Sequence, residues 1–293
     1  MPFTNSTAAT AATVPPADSS TLRKRVVSAL ILVPVTLGAA YWSPLLWDLV
    51  VAAMGALMAW EWARLCDGGR LSHVGVATLA IAPVAVAVGS IIGVDAGLIV
   101  IGVGAVIIGI AARAAAAANP AWLALGVPYV GLPCLALSWL RAMPQDGLLS
   151  MPQDGLLTLL WVLGLVWATD TGGYVAGRKI GGPKLAPRVS PNKTWAGLFG
   201  GMAAAGLVGL AASALVAGVS PWIVVPLSAT LAVVEQAGDL FESAVKRRFG
   251  VKDSSNLIPG HGGVLDRVDG LLSVSLAVAA LSWWAGHTIL IWR

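Results

Sequence analysis

Residues 194–234 run for 41 positions without an Asp, Glu, Lys or Arg, and residues 26–47 form another such run of 22. A helix needs about 20 apolar residues to cross a hydrocarbon core of roughly 30 Å, so the first run holds two crossings and the second holds one. Charged residues are 11% of the 293 and hydrophobic residues 57%. A soluble domain carries about 25% charged residues on its surface. That shortage excludes a soluble enzyme, a disordered chain and a secreted disulfide scaffold. Backbone polar groups in lipid must find partners inside the protein, so the expected class is an all-α polytopic membrane protein.

The scattered charges set the remaining boundaries. Residues 1–22, rich in Ala, Thr, Ser and Pro with Asp18 as their only charge, read as a disordered tail. Arg23, Lys24 and Arg25 open the first crossing. Gly38-Ala39-Ala40 near its end has the texture of a signal cleavage site, but the topology needs this span retained. A second crossing fits residues 45–65, the third and fourth flank Asp95, and the fifth fits 114–140. The sixth runs from 155 towards 176 and carries Asp170, the seventh and eighth share the 41-residue run, and the ninth covers 270–292. The expected count is about nine. With the N-terminus cytoplasmic and the C-terminus outside, 16 of the 18 Lys and Arg fall on the inner side, leaving Arg141 and Arg293 outside.

Two regions follow. Residues 23–141 hold five spans, and residues 142–293 hold four spans with two cytoplasmic loops and the chemistry. A tandem octapeptide, MPQDGLLS then MPQDGLLT over 143–158, reads as a duplication that lengthened an outer loop. Trp161 and Trp292 read as interface anchors. Cys66 and Cys134 read as small apolar residues, with no zinc or disulfide spacing.

Seven of the 14 acids and ten of the 18 bases lie between positions 170 and 269. Polar groups at membrane depth are costly, which makes this concentration a functional-site candidate. Residues 235–248 read EQAGDLFESAVKRR, with Glu235, Asp239, Glu242 and Ser243 on one helical face. A solvated helix end would look similar, but this face continues from an apolar span. Residues 257–269 read LIPGHGGVLDRVD, whose glycines let backbone N–H groups approach an anion. Asp266 and Asp269 then sit at i, i+3 at a helix entry, where either alone would serve as a cap. Together with Asp239 they make an oxygen-only set suited to Mg²⁺ rather than zinc. The loop before the seventh span adds Arg178, Lys179, Lys184, Arg188 and Lys193, with hydroxyls from Ser190 and Thr194. Carboxylates, many cations and Gly-rich turns at one membrane face fit a polyphosphate meeting a lipid.

Residues 243–269, SAVKRRFGVKDSSNLIPGHGGVLDRVD, resemble the signature of the phosphatidate cytidylyltransferases (CDP-diacylglycerol synthases). Ser243, Lys246, Arg247, Lys252, Asp253, Pro259, His261, Gly262, Gly263, Asp266, Arg267 and Asp269 fill its fixed positions. Ser190-Pro191-Asn192-Lys193-Thr194-Trp195 and Asp170 with Gly172-Gly173 and Gly177 are also similar to the family, although Ala196 stands where Glu is usual. The resemblance implies transfer of the cytidylyl group of CTP to phosphatidate, giving CDP-diacylglycerol and pyrophosphate, with Mg²⁺ required and a second, monovalent cation left open. It implies metal binding by Asp239, Asp266 and Asp269, and catalytic contacts by Lys246, Arg247, His261 and Arg267. Substrate contacts fall to Ser190, Lys193, Thr194, Lys252, Gly262, Gly263 and Asp170. The implied partners are CTP, phosphatidate and the bilayer, with a homodimer open and no nucleic acid. The implied location is a bacterial plasma membrane, with the site facing the cytoplasm. Two rivals remain: a membrane phosphotransferase that consumes CDP-diacylglycerol, whose Asp-Gly-x-x-Ala-Arg run is absent, and an ion-coupled transporter, which would place interrupted helices in two related halves.

Overall fold

The computed structural model describes residues 30, 33–143, 154–258 and 262–291. The tail at 1–22, most of the octapeptide repeat, His261, Trp292 and Arg293 lie outside them. Helix α1 covers residues 33–42. It is followed by α2 (Pro44–Cys66), α3 (His73–Ile91), α4 (Val94–Ala114), α5 (Pro120–Ala142) and α6 (Asp154–Lys179). Strands β1 (Lys184–Ala186) and β2 (Ser190–Thr194) come next, then α7 (Trp195–Leu215), α8 (Pro221–Arg248) and α9 (Leu265–Ala285). Among the described residues, eight helices, α2 to α9, are long and apolar enough to cross a membrane.

Local chemistry explains the boundaries. Ser43 caps α2 by accepting from Leu46 N at 3.1 Å, with Pro44 in the first turn, where its missing N–H costs nothing. Ser72 caps α3 through Gly75 N, and Thr194 caps α7 through Gly197 N. Two sequence expectations need correcting, and a third holds. The chain is not purely helical, because β1 and β2 pair antiparallel, with Lys184 opposite Thr194 and Ala186 opposite Ser190. The charged face at 235–248 continues the eighth span as its sequence implies: α8 has 28 residues, about 42 Å at 1.5 Å per residue, longer than a 30 Å core. The ninth helix starts at Leu265 rather than 270, so Asp266 and Asp269 are inside it.

Helices α2 to α5 pack on one another, α6 packs on α7 and α7 on α8, and α9 lies against α5, α6 and α8. Antiparallel neighbours put matching ends together. At one end, Asp48 on α2 accepts from Ser90 on α3 and Ser138 on α5, each at 2.6 Å. At the other, Asn119 donates to the Cys66 carbonyl at 2.9 Å. Cys66 and Cys134 are both buried, as their apolar settings require. Trp161 is no interface anchor: it is buried, and its indole N–H donates to Ser228 on α8 at 3.1 Å.

The glycines of α6 and α7 bring those two backbones close together. A Cβ at Gly172 would lie 2.6 Å from the Gly200 carbonyl oxygen, a backbone atom that cannot swing away, whereas one at Gly206 would meet only Val225 Cγ1 at 3.7 Å. Gly172→Ala is therefore expected to destabilise by about 1–3 kcal/mol through overpacking. Gly206→Ala should stabilise by about 0.4–1 kcal/mol through the unfolded chain. Thermal melts in detergent report the sign, and equal shifts would refute this account of the contact.

Candidate functional site

The charged end of α8 is the spine of the site. One turn apart, Asp239 and Glu242 face Asp269 of α9, and ligand oxygens from all three carboxylates lie within 4.8 Å of one another. Like charges this close repel strongly in a low dielectric unless a cation or a proton intervenes. Lys193, reaching in from β2, pairs with Asp239, and Lys246 pairs with Glu242 at 2.5 Å. These two lysines do not satisfy the cluster. The Lys246 ammonium meets Glu242 Oε2, and the buried Glu242 Oε1 has no hydrogen bond among the described residues. Glu242 lies on the charged face read from sequence yet outside the metal set named there.

Asp266 is not one of those three carboxylates, though it adjoins Glu242 through their shared Lys246. Its Oδ1 accepts from Lys246 Nζ at 2.6 Å, and its Oδ2 accepts from Ser254 N at 2.9 Å, Ser254 Oγ at 3.0 Å and Gly263 N at 2.8 Å. The i, i+3 spacing holds, but Asp266 sits in the first turn of α9, where orphan backbone N–H groups of the preceding loop claim its carboxylate. Lys246 thus bridges Glu242 of the cluster to Asp266 of the loop.

Glu61, at the far end of the sequence from this loop, is fully buried. Its Oε1 accepts from Ser255 Oγ at 2.6 Å and Val264 N at 2.8 Å. Its Oε2 accepts from Leu265 N at 2.7 Å and Ser254 Oγ at 3.1 Å. A carboxylate from α2 therefore does the capping that Val264, at the N-cap position of α9, cannot do. Ser254 has one hydroxyl proton and two carboxylates within reach, so it joins the Glu61 and Asp266 networks. Tyr129 on α5 packs on Trp62 and Phe241 with ring centroids at 4.7 and 5.3 Å, and its buried hydroxyl has no partner among the described residues. The N-terminal half, almost featureless by charge, thus contributes two of the site's side chains.

The other candidates fall into place around this core. Asp170 on α6 lies close to buried Glu235 of α8. Thr194 is buried and committed to capping α7, and Ser190 opens β2. Arg267 and Lys252 are exposed, and exposed Arg247 donates to the Val251 carbonyl at 3.0 Å. Gly262 has φ +87°, a conformation that favours glycine, and its carbonyl accepts from Ile258 N at 2.8 Å. Gly263 is buried against Glu61 and Ser254. One end of the bundle therefore carries an oxygen-rich cluster of carboxylates, with exposed cations on the same segments and a glycine-bearing loop pinned from behind.

Comparisons with known proteins point the same way. A sequence profile described as the Cytidylyltransferase family matches residues 23–284. A Brucella suis protein named phosphatidate cytidylyltransferase is 38% identical over 278 residues, covering 91% of this chain and 94% of its own. A Pseudomonas aeruginosa protein of the same name is 37% identical over 283 residues, covering 90% and 98%. A Staphylococcus epidermidis protein, again of that name, is 45% identical over 117 residues, covering 40% of this chain and 45% of its own.

Proposed function

The chain belongs to the cytidylyltransferase family, and we propose that it is a membrane nucleotidyltransferase joining CTP to phosphatidate, giving CDP-diacylglycerol and pyrophosphate. The observation that carries this reading is the Asp239–Glu242–Asp269 cluster, flanked by Lys193 and Lys246 at one end of the spans. The residues fit a hard divalent cation: their donors are all carboxylate oxygens, and while Glu242 Oε2 pairs with Lys246, its buried Oε1 has no hydrogen bond among the described residues. Asp239, Glu242 and Asp269 would hold Mg²⁺. When bound, it supplies positive charge that offsets the repulsion between phosphates and stabilises the leaving pyrophosphate.

The chain's own groups do the rest. The phosphate of phosphatidate has a second pKa of about 6, so it is largely ionised at neutral pH and attacks without a general base. Arg247, Lys252 and Arg267, exposed beside the cluster, take phosphate oxygens and hold the two anions in line. Lys193 reaches the same region from β2 while steadying Asp239. Lys246 sets the positions of Glu242 and Asp266 rather than serving as a free phosphate ligand. Gly262 and Gly263 let the loop backbone come close to an anion.

Orientation follows the positive-inside rule. Arg64, Arg70, Arg113, Arg178 and Lys179 end spans or follow them on the site's side, which supports a cytoplasmic site in a bacterial plasma membrane, with the N-terminus on that side. The test is direct. Protein purified in detergent is expected to release pyrophosphate from CTP only when phosphatidate and Mg²⁺ are both present, with CDP-diacylglycerol formed in equal amount. Folded protein that releases none would overturn the reading.

A further inference from the structure

A groove of about 580 Å³ lies behind the pinned loop, between the end of α2, the Gly68-Gly69 turn and the connection from α8 to α9. Trp60, Arg64, Phe249, Ser255, Asn256 and Leu257 line it, and no acidic residue does. Its size is within the 300–1,000 Å³ usual for small-ligand sites. Its walls are mixed, with the aromatic and aliphatic faces of Trp60, Phe249 and Leu257 set against the amide of Asn256 and a guanidinium.

Arg64 is the charge that matters. It is half-buried, lies over the Trp60 ring at 4.7 Å from the centroid, and donates from Nε to the Gly69 carbonyl at 3.2 Å. Among the described residues no carboxylate pairs with it. These contacts hold the guanidinium still and leave its charge uncompensated. A half-buried cation without an acid, set between apolar walls, attracts an anion that carries apolar groups of its own. At the end of membrane spans, the abundant species of that kind are glycerophospholipids with an anionic phosphate headgroup.

The groove is also joined to the reaction site. Ser254, on its wall, donates to Asp266, and Asp266 holds Lys246, which holds Glu242 of the carboxylate cluster. A lipid phosphate seated here lies against the loop that shapes the site, which favours the lipid substrate over a bystander lipid. We infer that the Arg64 groove captures the phosphate headgroup of phosphatidate as it leaves the bilayer. This rests on the cytidylyltransferase reading above.

Kinetics in mixed micelles test it, with the mole fraction of phosphatidate varied at saturating CTP and then the reverse. Arg64→Gln is expected to raise the KM for phosphatidate about tenfold, the loss of one charge-assisted phosphate contact. The KM for CTP should stay unchanged, and Arg64→Lys should recover part of the loss. Asn256→Asp, which brings an acid into the groove from an exposed position, should raise the same KM and supplies the test if Arg64→Gln fails to fold. An unchanged phosphatidate KM in a folded variant overturns the inference. So does a rate that phosphatidylglycerol alters in the wild type but not in Arg64→Gln, because the groove would then read a bystander lipid. Wild-type protein inactive with phosphatidate signals instead that the functional reading itself has failed.

Discussion

Asparagine in place of Asp269 is expected to lower kcat/KM by about 10³-fold, roughly 4 kcal/mol of lost transition-state stabilisation. The thermal midpoint in detergent should stay level or rise, because Asp269 shares a crowded site with Asp239 and Glu242, and removing one of three like charges relieves their repulsion. Half-saturation by Mg²⁺ should move to higher concentration, since a neutral amide is a poorer ligand for a hard cation. Asp266→Asn should behave differently. It leaves Lys246 with one carboxylate instead of two and weakens three hydrogen bonds from Ser254 and Gly263. Its first effect should be a lower melting temperature. Mg²⁺ titrations and melts on the two variants separate the roles. Identical behaviour would refute the division, and an Asp269→Asn protein with near-normal turnover would sink the cation assignment.

The second large effect belongs to Glu61. Truncation to alanine strips partners from two backbone N–H groups and the Ser255 hydroxyl in a buried place and leaves the Ser254 hydroxyl only Asp266, a loss of about 3–5 kcal/mol. At about 2–4 °C per kcal/mol for large domains, the midpoint should fall by roughly 6–20 °C. Glutamine should rescue little, even though its shape is nearly the same. Both Glu61 oxygens accept from backbone N–H groups, and glutamine would turn an NH₂ donor towards one of them. The measurement pairs melts with activity of the folded fraction. A Glu61→Gln protein matching the wild type in both would show that the carboxylate does not pin the loop.

Much of the fold can be read from the charges because a charge in hydrocarbon is costly. The stretches between them predict crossings at every position where α2 to α9 lie. The same rule misplaces the start of α9, since it locates where apolar sequence begins and not where helical hydrogen bonding begins. Helical spacing correctly gathers Asp239 and Glu242 on one face, but it also groups Asp266 with Asp269. Only the loop's unsatisfied N–H groups, which are a tertiary matter, draw Asp266 away. Ala196, where the family usually has Glu, lies next to Trp195 in the first turn of α7. Glu61 had no legible signal. A lone Glu within AWEWARL looks like any acid near a span end, and its partners lie 193 to 204 residues away. Tyr129 is similar, an aromatic residue in an apolar helix whose significance comes only from its neighbours.

That separation gives the Glu61 clamp a temporal consequence. Chains grow at about 5–20 residues per second, so Glu61 leaves the ribosome roughly 10–40 s before Ser254, Ser255, Val264 and Leu265 exist to receive its charge. During that interval α2 carries, near its end, a carboxylate with none of its final donors, an arrangement unfavourable for a helix settled in a membrane. The connection from α8 and the first residue of α9 are what satisfy it. Completion of the site and burial of this early charge are therefore the same event, so a nascent or truncated chain lacking that connection and α9 stays marked as unfinished by an acid that has nowhere to dock.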